Sequence, residues 1–440
     1  MSRKALFIAP SAYPLGGVAV WLDYLVPGLA AHGWAAQAGL VTGRWHDLAA
    51  YRAAYPRLHA VAIANPTGSA EGRIRAIADT LRRERPDIAV AVNIVDTYAA
   101  VQRVRREGRP IKVVMALHGI AADLLADLKR EAVRGLDAVI ATNQLACRLC
   151  DTEAGVSPDR VLYAPYGVDA DALGALPRVP RSGPLRIVWV GRLEQEQKRV
   201  RDLPAILAAL DHEGADYHLR IVGDGPERAA LAAALASWLG RGRVELAGAL
   251  PAAALGEQVY ARADVLLITS SWETGPIVAW EAMAAGVAVV SSRYVGSGRE
   301  GALQDGTNCL LFPTGEAALA AQQLAGLAAD TSLCARLAAA GQALVRARYS
   351  INASVHAWAQ ALDAVLALPP RASPSALTRP AASGRLDRWL GLERAETVRR
   401  ALGRAHAHAG PGGEWPHTAS EIEDEPRLLR HAAQRDVEQP

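Results

Sequence analysis

One pattern constrains this chain more than any other. Short, wholly apolar runs alternate with longer Ala/Leu/Arg-rich stretches from the start nearly to residue 368. In the first half the runs are Ala5–Ala9, Ile88–Val92, Lys112–Leu117, Ala138–Ala141 and Val161–Ala164. In the second half they are Arg186–Val190, His218–Val222, Val244–Ala247, Val265–Thr269 and Val287–Ser291. A strand that is apolar without alternation must be covered on both faces. Strands that alternate with helices pair in parallel. The expected fold class is therefore α/β, with doubly wound parallel sheets.

At about 150 residues per domain, 440 residues are too many for one core. Gly174, Pro177, Pro180, Gly183 and Pro184 mark a break. The pattern predicts a first Rossmann-like domain over 1–175, a linker over 176–184 and a second such domain over 185–352. A further helix is expected within 353–368. From Pro369 a Pro/Ala-rich, partly disordered tail runs to residue 440, with one helix expected near Leu386–Leu402.

Composition excludes several classes. Lys plus Arg total 48 against 45 acidic residues, a net charge of +3, too balanced for a protein that coats nucleic acid. Charged residues make up 21% and apolar residues 51%, so the chain as a whole is not disordered. Four cysteines do not make a disulfide scaffold, and a cytoplasmic location is expected. No run reaches the ~18 apolar residues of a membrane span. Basic residues gather in the first half, among them Arg82, Arg83, Arg85, Arg103, Arg105, Arg106 and Arg109. They read as a solvated helix face, or as a peripheral contact with a phosphorylated or membrane-bound partner. Cys147-x-x-Cys150 reads as helix packing. His406, His408 and His417 lack a frame for a metal.

Four separated segments point to one kind of ligand. Gly16-Gly17 follows the first strand and would let backbone N–H groups approach an anion at a helix start. Gly191-Arg192 through Lys198 follows a strand and offers two cations suited to a diphosphate. Gly223-Asp-Gly225-Pro permits a tight turn and a close approach by a nucleobase or ribose. In Glu273-Thr274-Gly275-Pro276-Ile277…Glu281, proline is expected in the first turn of a helix. If that span were fully helical, its eight-residue rise would separate the carboxylates by ~12 Å. A hydrolase pair needs roughly 5 to 9.5 Å, so an elongated ligand with one acid at each end fits better. Taken singly, each segment also has a plain structural reading.

Together, in this order, they resemble the retaining GT-B glycosyltransferases of family 4. The likeness rests on Glu273-x7-Glu281, Gly191-Arg-Leu…Gln-Lys-Arg199, Gly223-Asp-Gly-Pro226 and Gly16-Gly17. Gly167-Val-Asp169 and Gly298-Arg-Glu300…Asp305-Gly-Thr-Asn308 add to it. The resemblance implies two facing Rossmann-like domains with an interdomain cleft, and a last helix that crosses back to the first domain. It implies that Arg192 and Lys198 hold the donor diphosphate, Glu273 the donor sugar and Glu281 the ribose. Gly16, Gly17, Gly223, Gly225 and the Thr274, Gly275, Pro276 and Ile277 backbone would face the donor. His118, at the end of a first-domain strand, matches the family's active-site histidine. The implied reaction moves a sugar from a UDP- or GDP-sugar to a hydroxyl acceptor, with no metal and no other cofactor. A bacterial surface glycan, glycolipid or secondary metabolite is the acceptor class expected. The competing readings are another GT-B sugar-nucleotide enzyme, an epimerase or phosphorylase, and a non-catalytic nucleotide-binding subunit. Thr274 stands where the family often has an aromatic, and Tyr166 where it often has Asn.

Overall fold

The computed structural model describes residues 3–10, 17–42, 48–369, 371, 382, 384–405 and 425–437. The chain forms two compact units. The first comprises Met1–Thr142, Ala146–Ala164 and Val355–Leu428, and the second Asn143–Leu145, Pro165–Ser354 and Leu429–Pro440.

The first unit is built on seven strands: β1 (Arg3–Pro10), β2 (Trp34–Val41), β3 (Ala60–Ile63), β4 (Ile88–Val92), β5 (Lys112–Leu117), β6 (Ala138–Ala141) and β7 (Val161–Tyr163). They lie in the order β3-β2-β1-β4-β5-β6-β7, every pairing parallel. The second unit has β8 (Leu185–Val190), β9 (Tyr217–Val222), β10 (Val244–Gly248), β11 (Val265–Ile268), β12 (Ala288–Ser292) and β13 (Leu310–Phe312). Their order is β10-β9-β8-β11-β12-β13, again all parallel. Strand order reverses between β1 and β4 in one sheet and between β8 and β11 in the other. Sheets of this kind take ligands beyond the carboxyl ends of their strands, beside such a reversal.

Apolar continuity does what the pattern requires. Every residue of β4 is buried, and so is every residue of β11. Each buried Val, Leu or Ile contributes about 1.5–3 kcal/mol by leaving water. The first unit holds an aromatic cluster. Trp21 packs on Phe7 (ring centroids 5.8 Å apart) and on Trp358 (4.9 Å). Trp358 belongs to the helix Ile351–Ala367.

The structure differs from expectation at several places. β2, β3 and β13 have no counterpart in the runs read from sequence. Half of β2 is Ala and Gly, and β3 and β13 are edge strands of four and three residues, so their patterns are weak. The segment 176–184, read as a linker, is held to the second unit by its arginines. Arg178 donates to the carbonyls of Tyr260, Ala263 and Ala285, and Arg181 to those of Leu327 and Ala328. The single helix expected near Leu386–Leu402 is two, Arg385–Leu390 and Leu392–Ala401, broken at Gly391 with φ +76°. A further helix, Glu425–Val437, was not expected. The first two belong to the first unit. Glu396, fully buried, accepts from the hydroxyls of Thr67 (2.8 Å) and Ser69 (2.6 Å) and from Arg400 Nε (2.8 Å). All four cysteines are free thiols, with Cys150 buried on the helix Gln144–Thr152. His406, His408 and His417 lie outside the described residues. Among the described residues no helix is long and apolar enough to cross a membrane, and no cluster of His, Cys, Asp and Glu could hold a metal.

Candidate functional site

Ten of the thirteen residues singled out in the sequence lie in the second unit. They sit on the loops leaving β8, β9 and β11 and on the helix Ile277–Ala284 that follows, at the carboxyl edge of adjacent strands. Their arrangement begins with backbone packing. At Gly223, φ is +145°, and a Cβ there would come within 1.8 Å of the Gly191 carbonyl oxygen. At Gly225 a Cβ would lie 2.4 Å from the Leu193 carbonyl oxygen. Leu193 N–H donates to the Asp224 carbonyl (2.9 Å), and Glu227 N–H to the Leu193 carbonyl (3.0 Å). The two loops therefore press together main chain to main chain. Neighbouring backbone takes the room that side chains at these positions would need.

The loop after β8 is shaped by its own carboxylate. Glu194 accepts from the backbone N–H groups of Gln197 (3.1 Å) and Lys198 (2.7 Å). Arg199 then takes the left-handed conformation, φ +52°. This turn sends the Lys198 ammonium to Glu273, where Nζ donates to Oε1 at 2.5 Å. Ser270 Oγ donates to the same oxygen at 2.6 Å, and Gln197 Nε2 reaches Oε2 at 3.3 Å. Glu273 is buried, with 6% of its surface exposed, so its charge needs these partners. The segment that carries it is clamped on its other side. Glu273 N–H donates to the Val295 carbonyl (3.0 Å), and a Cβ on Gly296 would meet the Glu273 carbonyl oxygen at 2.1 Å. Arg192 is exposed and forms no ion pair among the described residues.

Proline does not occupy the first helical turn. The helix spans Ile277–Ala284 with Pro276 as its N-cap, and Gly275 before it has φ +111°. The stretch from Glu273 is thus not fully helical, and the 12 Å separation does not apply. Ile277 and Val278 lie in the first turn, where backbone N–H groups have no intrahelical acceptor. Thr274 is half-buried beside this turn.

Glu281 lies one turn into the helix. Its Oε2 accepts from the hydroxyl of the fully buried Tyr260 at 2.8 Å. Burial raises the Glu281 carboxyl to about 7, against a smaller opposing pull from that hydrogen bond. Near neutral pH it is therefore poised between its acid and its carboxylate. The two acids are held by separate sets of partners, Glu273 by a cation and polar groups, Glu281 by a phenol.

The remaining three residues belong to the first unit. Gly17 opens the helix Gly17–Gly28 and is exposed. Gly16 lies outside the described residues. His118 directly follows β5 and is buried, its ring 4.6 Å from that of Trp21 and nearly perpendicular to it. Burial lowers its pKa to about 3, so the imidazole is neutral at ordinary pH.

Sequence reading missed Gln197, Ser270 and Tyr260, which hold the two carboxylates. It also missed Asp436, whose carboxylate accepts from the N–H groups of Gly296 (2.8 Å), Gly298 (3.1 Å) and Arg299 (2.8 Å). Gln197 lies inside the quoted Gln-Lys-Arg199 motif and Ser270 opens the segment that carries Glu273, and that membership was the signal available. Tyr260 and Asp436 carry none.

Comparison with known proteins bears on both halves of the chain. Residues 15–172 match the family described as Glycosyltransferase Family 4, and residues 184–330 match Glycosyl transferases group 1. The chain carries the two domains of a GT-B glycosyltransferase. It is 30% identical over 178 residues to a 2-deoxystreptamine glucosyltransferase of Streptomyces kanamyceticus, covering 38% of this chain and 46% of that protein. The chain thus matches less than half the length of this curated relative. Among solved structures it resembles the lipopolysaccharide outer core galactosyltransferase WaaB, with a TM-score of 0.66, 19% identity, and 82% of this chain and 99% of that one covered. It resembles Anabaena HepE in complex with UDP equally well, with a TM-score of 0.66, 20% identity and the same coverage.

Proposed function

We propose that this protein is a retaining, metal-independent glycosyltransferase that moves a sugar from a UDP- or GDP-sugar to a hydroxyl acceptor. The observation that carries the reading is the Lys198–Glu273 pair, 2.5 Å apart, on loops that flank the reversal point of the second sheet. Anabaena HepE, which shares the fold, has been captured with UDP and with UDP-glucose, which favours a uridine nucleotide. Arg192, Lys198 and the first-turn N–H groups of the helix Ile277–Ala284 face the departing diphosphate. Charge builds on that group as the glycosidic bond stretches. Preorganised positive groups are usually the largest catalytic contribution. They supply here what a divalent ion would otherwise supply. Glu273 takes hydroxyls of the donor sugar, and Glu281 takes those of the ribose. His118, neutral at the end of β5, offers a hydrogen bond to the donor sugar without adding charge.

The test is nucleotide release from a panel of UDP-, GDP- and ADP-sugars, with and without EDTA. Glu273→Gln and Lys198→Ala should each slow release by about 10²–10³-fold, and EDTA should leave the wild-type rate unchanged. Variants as fast as wild type would overturn the site. The anomeric configuration of the product, read by NMR, decides retention.

A further inference from the structure

The first unit holds a cavity of about 520 Å³ that donor chemistry does not use. It lies at the amino-terminal edge of the first sheet, where the chain enters β4, β5 and β6 at Asp87, Lys112 and Asp137. His118 is at the opposite end of β5, and a six-residue strand is about 17–20 Å long. The volume lies within the roughly 300–1,000 Å³ range of small-molecule sites.

Four cations line the cavity, Arg105, Arg109, Lys112 and Arg371, against two acids, Asp87 and Asp137. Asp137 is bonded to Arg105 and lies 3.7 Å from Lys112. Backbone oxygens hold the other side chains in place. Arg109 donates to the Arg82 carbonyl (2.8 Å), Lys112 Nζ to that of Leu368 (2.9 Å), and Arg371 to those of Ala132 and Leu136. A carbonyl fixes a guanidinium without cancelling its charge. Burial, with Arg160 close by, pulls the Arg371 pKa below its usual value, a cost that an incoming anion would relieve. Arg105 and Lys112 are paired with Asp137, so Arg109 and Arg371 carry the charge without an ion pair among the described residues, and cations pinned in this way suit a phosphoryl group.

We propose that this cavity is a second anion site, separate from the donor site, that binds a phosphoryl group carried by a small soluble molecule or by a lipid head group. The probes are inorganic pyrophosphate and vesicles of phosphatidylglycerol, with phosphatidylcholine vesicles as the neutral control. Calorimetry uses full-length protein carrying Arg192→Ala and Lys198→Ala, which disables the proposed donor site. Pyrophosphate should still bind one to one, and adding Arg109→Gln with Arg371→Gln should weaken it at least tenfold. The single change Arg109→Glu, at a partly exposed position, should act in the same direction if the combined variant folds poorly. In the otherwise wild-type protein, Arg109→Gln with Arg371→Gln should leave nucleotide release unchanged, which separates this site from the donor site. Pyrophosphate binding without vesicle binding identifies a soluble ligand. Vesicle capture that needs Arg109 and Arg371 identifies a lipid. If neither probe binds in a way that depends on these two arginines, the proposal fails.

Discussion

Glu281→Gln probes the second unit where burial and charge meet. The Glu281 carboxyl is raised from 4.5 to about 7, chiefly by burial. Between these values the folded protein keeps a proton that the unfolded chain releases. The associated stability is fully present below pH 4.5 and is lost as pH rises through about 7. A displacement of that size corresponds to about 3 kcal/mol. Glutamine has no proton to lose, and its side-chain carbonyl can accept from Tyr260. The unfolding free energy of the variant should therefore gain on wild type by about 3 kcal/mol between pH 4.5 and pH 8. Urea unfolding, followed by hydrogen exchange in the Ile277–Ala284 helix, measures this in the unit concerned. Groups common to both proteins cancel in the difference. Tyr260→Phe removes the one hydrogen bond that favours the carboxylate and should shift the wild-type midpoint to higher pH. Stability curves for wild type and Glu281→Gln that stay parallel across this range would refute the reasoning.

Three further outcomes follow from the packing. Gly223→Ala places a methyl 1.8 Å from the Gly191 carbonyl oxygen at φ +145°, and should cost about 2–5 kcal/mol by thermal unfolding. His118 is held neutral down to about pH 3, so the unfolded chain gains a proton below pH 6.5 that the folded protein cannot take. Wild type should therefore lose stability relative to His118→Gln as pH falls from 6.5 toward 4, read by denaturant melts. Lys198→Ala strands a buried carboxylate that Glu273→Gln removes, so nucleotide-release rates of the two single variants and the double variant should be strongly non-additive.

The sheets were legible because burial on both faces leaves a mark that needs no partner to interpret. β4, β5 and β6 fall on the residues expected from their apolar runs alone. β2 escaped because Ala and Gly make up half of it and its branched residues, Leu40 and Val41, come only at its end. The tail was legible only in part, since a helix was expected near Leu386–Leu402 but not its place in the fold. The helix Leu392–Ala401 is strongly polar, and it is held by Glu396 against Thr67 and Ser69, more than three hundred residues earlier. Only the folded chain brings those groups together, and the charge on Glu396 is tolerable only because they meet it.

The same distinction runs through the candidate site. Gly223, Gly225, Lys198 and the two acids stand out in sequence because each is unusual for its position. Their partners are ordinary residues. Tyr260 reads as a core aromatic until its hydroxyl is seen on Glu281, and Gln197 reads as a loop residue until its amide reaches Glu273. The partners also decide the electrostatics. Lys198 and Glu273 largely cancel, so Arg192 is the cation of this loop left with its charge unmatched among the described residues. An incoming diphosphate would then draw Lys198 from Glu273 and release that carboxylate's acceptor oxygen for a sugar hydroxyl. Under the proposed function, donor binding would in this way ready both ends of the sugar–phosphate bond in one step.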